Sequence, residues 1–142
     1  MKRYFDTAIF IYALENKSER ARRLIADSVR DGIAGISAVT IMEYCAGCFR
    51  HGRPDIAARF QSFLRDYGFE IHPIGEETAL EAARIRGTYP AFKPMDSLQL
   101  ASAVMAEADE FHTNDKQLLQ FTHERTRIVR FDSATSDDDL LQ

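Results

Sequence analysis

The chain of 142 residues has no tryptophan and only two cysteines, and it carries no G-x-G-x-x-G or Walker loop. Lacking such a loop, it lacks the backbone cradle that dinucleotides and ATP require. Two cysteines cannot staple a domain of this length, so its stability has to come from a hydrophobic core. Long apolar runs are missing as well. None approaches the roughly 20 residues of a membrane span, and the N-terminus MKRYFDTAIF meets Asp6 after two apolar residues, too soon for the apolar stretch of a signal peptide. The expectation is a soluble cytoplasmic protein with no membrane contact. Nor is positive charge in excess: the net charge is −4 and the pI about 5.5, unlike a basic nucleic-acid-binding domain. The basic residues that do bunch, at Arg20-Arg22-Arg23, Arg84-Arg86 and Arg125-Arg127-Arg130, read as solvated faces.

What is present is a globular composition, 45% apolar, laid out as short strands alternating with helices. Arg3 to Phe5 reads as a strand, and Thr7 to Leu14 begins a helix over it. Ser18 is an N-cap for a helix ending at Gly32. Gly32 to Ser37, flanked by turn residues, reads as a second strand, with helices over 38–49 and 55–67 behind it. A strand over 69–74, a helix over 76–86 and a buried helix over 95–108 follow. The chain closes with a strand over 111–113, a short helix over 116–121 and a strand over 127–131. This alternation predicts an α/β fold with a mostly parallel central sheet flanked by helices on both faces. It gives one domain over 1–132 and an acidic, unstructured tail over 133–142.

The strand-to-helix junctions are unusually acidic. Asp6 follows the first strand in YFDT, and Asp115 follows a later one in FHTNDK. Each could simply cap its helix. Glu43 fits a capping box with Thr40, and Asp96-Ser97-Leu98-Gln99 is a looser version of the same pattern. Helix caps do not explain joint placement, however. If the sheet winds as expected, all four carboxylates enter one crevice at the C-terminal ends of the strands. There they would repel one another and call for a cation, and hard oxygen ligands of this kind suit Mg²⁺ or Mn²⁺.

Taken in order, YFDT, the glutamate of TIMEY, MDSLQLASAV and FHTND resemble the acidic motifs of the PIN-domain nucleases, in particular the VapC-type toxins of bacterial toxin-antitoxin pairs. The resemblance runs from residue 3 to about residue 131. It implies a metal-binding acidic site made of Asp6, Glu43, Asp96 and Asp115, with Asp6 and Asp96 as direct ligands and Thr113 and Asn114 shaping the site. It also implies Mg²⁺- or Mn²⁺-dependent hydrolysis of RNA phosphodiester bonds, a cognate antitoxin partner and self-association as a homodimer. Phe10, Tyr12, Phe49 and Phe60 are candidate contact surface for such partners. One position departs from the pattern: many relatives carry a further acid two residues beyond the last aspartate, where this chain has Gln117. That departure weighs against a second metal.

Two rival readings have less support. A receiver-like phosphoryl-transfer domain would need paired acids after the first strand, but Asp6 is followed by Thr7 and Ala8. A non-catalytic PIN-like module that binds RNA or protein would not need all four acids. Cys45 and Cys48 form a C-x-x-C with His51 three residues on. Zinc would require a fourth ligand from elsewhere, and a thioredoxin-like pair belongs at a helix N-terminus, so both cysteines read as reduced packing residues. His112 reads as a packed strand residue, and Asp109 and Glu110 as a solvated turn.

Overall fold

The computed structural model describes residues 1–132; the acidic tail over 133–142 lies outside the described residues. Five short strands make one parallel sheet in the order β3-β2-β1-β4-β5. They are β1 (Lys2–Phe5), β2 (Ile33–Ser37), β3 (Glu70–His72), β4 (Glu110–Thr113) and β5 (Arg127–Arg130). The crossovers are α1 (Thr7–Phe10), which runs into a π-helical turn at Ile11–Glu15, then α2 (Glu19–Asp31), α3 (Ala38–Arg50), α4 (Pro54–Asp66), α5 (Glu76–Thr88) and α6 (Pro94–Met105). A 3₁₀ turn at Lys116–Gln120 links β4 to β5. The expected α/β sheet is therefore what the structure shows, with β3 shorter than the alternation suggested.

β1 is the middle strand, with β2 on one side and β4 on the other. Successive side chains of β1 point to opposite faces and feed separate cores. Phe5 joins Ile9, Phe10, Tyr44, Phe60 and Leu64 under α1, α3 and α4. Tyr4 joins Leu100, Phe111, Leu118 and Phe92 under α5 and α6. Two of the four aromatics named as candidate contact surface are core residues: Phe10 and Phe60 pack edge to face, centroids 5.5 Å apart. Tyr12 stacks on Phe131 at 5.3 Å. Phe49 alone of the four is broadly exposed, at 62%. Cys45 and Cys48 are buried, unbridged packing residues, and burial pushes the Cys45 thiol up.

Tyr4 imposes a further condition on the sheet. It pairs in register with Gly35 of β2, and a Cβ at Gly35 would lie 2.1 Å from Tyr4 Cε1.

Glu110 corrects the sequence reading. It is not a solvated turn residue but the first residue of β4, 7% exposed. The parallel register sets it directly between Arg3 of β1 and Arg127 of β5. Arg3 Nε donates to it at 3.0 Å, Arg127 donates to its other oxygen, and His112 Nε2 lies 3.1 Å away. Local periodicity cannot reveal an acid seated between two arginines from distant strands. Burial would raise the Glu110 pKa, but the bonds from Arg127, His112 and Arg3 outweigh it and hold the carboxyl at about 2. Because the folded value lies below the unfolded 4.5, the contribution is complete above about pH 4.5 and is lost as the pH falls toward 2. Urea midpoints measured across that window should drop for the wild type, and part of the drop should vanish in Glu110→Gln, whose midpoint at pH 7 should already be lower.

Candidate active site

The direction of sheet growth reverses at β1, which opens a crevice beyond the C-terminal ends of β1 and its neighbours. Its volume is about 720 Å³, and Asp6, Glu43, Asp96 and Asp115 all line it, with Asn114 beside them and Lys93 on the rim. The structure thus brings together the four acids expected from the sequence.

Asp6 ends β1 and stands at the N-cap position of α1, yet its side chain makes no cap bond. Instead Thr113 Oγ1 at the end of β4 donates to Asp6 Oδ2 at 2.7 Å. Burial pushes the Asp6 carboxyl up, the Thr113 bond pulls it down, and the Glu43 charge adds to the rise. Asp96 is not a cap either, since Lys93 holds the N-cap position of α6 and no side chain caps that helix. Burial first, then the charges of Asp6, Asp115 and Glu43, push the Asp96 carboxyl up to about 6 against the pull of Lys93. Asp115 does cap: its Oδ1 accepts from the Gln117 amide at 2.9 Å while the residue still lines the crevice. Asn114 Nδ2 donates to Tyr12 Oη at 2.8 Å, bracing the crevice wall.

The capping box expected at Glu43 is absent. Ser37 caps α3 by accepting from the Val39 amide at 3.0 Å, which places Thr40 and Glu43 inside the helix. Glu43 Oε1 instead accepts from Thr7 Oγ1 and from Gln99 Nε2, each at 2.7 Å. From the sequence Thr7 is not singled out as a site residue, and Gln99 reads only as the end of a loose capping box with Asp96. The signal available for Gln99 was a lone amide in the otherwise apolar arc of a buried helix.

A divalent cation fits this donor set. The candidate ligands are hard carboxylate oxygens, and the Asp96 pKa is raised first by burial and then by the charges of Asp6, Asp115 and Glu43, which Lys93 offsets only in part. Among the described residues, no three His, Cys, Asp or Glu side chains are grouped closely enough to enclose an ion. At most two of the four carboxylates would therefore contact one ion directly, with water completing its shell.

The sequence matches the PIN domain family over residues 3–124. The chain belongs to the PIN domain family. No curated protein sequence matches it. Among solved structures, this PIN domain is similar to a chain of VapBC2 from Rickettsia felis bound to promoter DNA, at 16% identity and a TM-score of 0.77 over 93% of this chain and 100% of that one. It is also similar to a chain of DNA-bound VapBC from Salmonella typhimurium, at 19% identity and a TM-score of 0.74 over 92% and 98% of the two chains. A third similarity is to VapBC-5 from Mycobacterium tuberculosis, at 20% identity and a TM-score of 0.62 over 92% and 98%. At these identities the likeness is one of fold. Among the described residues no helix is long and apolar enough to cross a membrane.

Proposed function

We propose that this PIN domain is a Mg²⁺- or Mn²⁺-dependent endoribonuclease and the toxin of a type II toxin-antitoxin pair. The observation that carries the proposal is the convergence of Asp6, Glu43, Asp96 and Asp115 on one open crevice. Asp6 and Asp96 would hold the ion, with Asp115 reaching it through a bridging water. When bound, the ion supplies Lewis-acid chemistry, offsetting charge on the phosphoryl oxygens and easing deprotonation of water. Thr113 fixes the orientation of Asp6 through its 2.7 Å bond. Glu43, held by Thr7 and Gln99, is suited to orient the attacking water and accept its proton. Lys93 offers positive charge to an incoming phosphate at the rim. An open crevice favours single-stranded or looped RNA, whose backbone can enter it.

The partner reading is supported by the solved neighbours, whose descriptions are of VapBC complexes. A cognate antitoxin would lie against this domain, and the exposed Phe49 is a candidate contact for it or for a second copy of the chain. Purified protein should cleave RNA oligonucleotides with Mg²⁺ or Mn²⁺ and stop on addition of EDTA. RNA left intact across a range of both metals, or cleavage that survives EDTA, would overturn the nuclease reading. Growth arrest on expression, relieved by the product of the adjacent reading frame, is the expected outcome for the toxin reading.

A further inference from the structure

Glu43 receives two donors from different helices on the same oxygen. Thr7 Oγ1 from α1 and Gln99 Nε2 from α6 both meet Oε1, and among the described residues Oε2 has no protein donor. Gln99 is 1% exposed and also lies 3.4 Å from Thr7 Oγ1, while its own Oε1 is buried without a partner. A methionine or leucine would fill that place between α6 and α3 without leaving a carbonyl unsatisfied. The amide therefore costs the fold something, and what it gains is a fixed carboxylate. We propose that Gln99, together with Thr7, is a positioning residue that clamps Oε1 of Glu43 so that Oε2 alone is presented to water in the crevice. Glu43 would then act on the ion through water rather than as a direct ligand. The proposal rests on the reading of the crevice as a metal-dependent nuclease site.

Gln99→Met removes the donor while keeping volume and helix propensity, and Thr7→Val removes the other donor from a separate element. The readouts are calorimetric titration of the metal-free full chain with Mn²⁺ and steady-state cleavage of an RNA oligonucleotide. Each variant should bind Mn²⁺ about tenfold more weakly and lose roughly 10- to 100-fold in kcat, as loss of an outer-shell partner does, with KM within about twofold. Neither should lose more when Glu43→Gln is already present, because the group being positioned is gone. Gln99→Met should melt at or above the wild type, which separates positioning from packing. If it melts well below, Thr7→Val decides on the same two readouts. Wild-type kcat and Mn²⁺ affinity in these variants, or an equal loss in the Glu43→Gln background, overturns the proposal. Should wild-type protein leave RNA intact yet show the same coupling in Mn²⁺ affinity, the ribonuclease reading falls and the clamp stands. Wild-type protein that binds no Mn²⁺ sinks both.

Discussion

Asp96→Asn should abolish RNA cleavage, by about 10³-fold or more, while making the metal-free protein harder to melt. The loss follows from removing a carboxylate charge from the ion, whose stabilisation of transition-state charge is worth several kcal/mol. The gain in stability follows from repulsion. In the folded protein the Asp96 pKa is about 6, above its ordinary value of 3.8, because burial and three neighbouring acids oppose its charge. A raised folded pKa means that the contribution to stability is complete below about pH 3.8 and is lost as the pH rises through 6. Melting curves of wild type and variant should therefore nearly coincide at pH 4 and separate by pH 8, the variant higher by ~3 °C if ~1 kcal/mol of repulsion is relieved. Metal should reverse the order: with a Kd of about 1 mM, ~10 mM Mg²⁺ would add roughly 1.4 kcal/mol to the wild type and little to the variant. A metal-free variant that melts below the wild type at pH 8, with equal responses to Mg²⁺, would mark Asp96 as structural and dismantle the site.

Gly35→Ala should destabilise the fold by about 2–3 kcal/mol, lowering the melting temperature by roughly 6–10 °C. The new methyl carbon would lie 2.1 Å from Cε1 and 2.7 Å from Cδ1 of Tyr4. That ring cannot swing aside, since it is 1% exposed and its hydroxyl donates to Glu70 Oε2 at 2.7 Å. Space, rather than backbone conformation, is what the glycine provides. In a Gly35→Ala, Tyr4→Leu double variant the clash is gone, so the two losses should sum to clearly more than the measured one. Additive losses would mean that the glycine serves some other purpose.

Much of this fold was legible because strand, acid and helix start recur in the same local order. YFDT and FHTND each join a strand to a helical turn, and the structure sets Asp6 and Asp115 beside one crevice. What the sequence could not disclose were choices that depend on distant partners. Ser37 and Thr40 are both competent caps, and only the position of β2 decides that Ser37 starts α3 and that Glu43 turns inward. Glu110 looks like a turn acid until the register seats it between Arg3 and Arg127. The polar shell of the crevice was hidden for the same reason: Thr7 and Gln99 stand 92 positions apart, and the lone amide of Gln99 on a buried helix does not say which distant carboxylate it meets.

The pairing of β1 with β4 also sets a timetable. Asp6 is made 107 positions before Thr113, whose hydroxyl orients it. Closing so long a loop is entropically costly, and parallel pairing across it is slow. A chain still emerging from the ribosome can build α2, α3 and α4 from local sequence, yet it has no crevice until β4 slots beside β1. On the proposed ribonuclease reading, the chain would therefore be inert while it is being translated until β4 is in place beside β1.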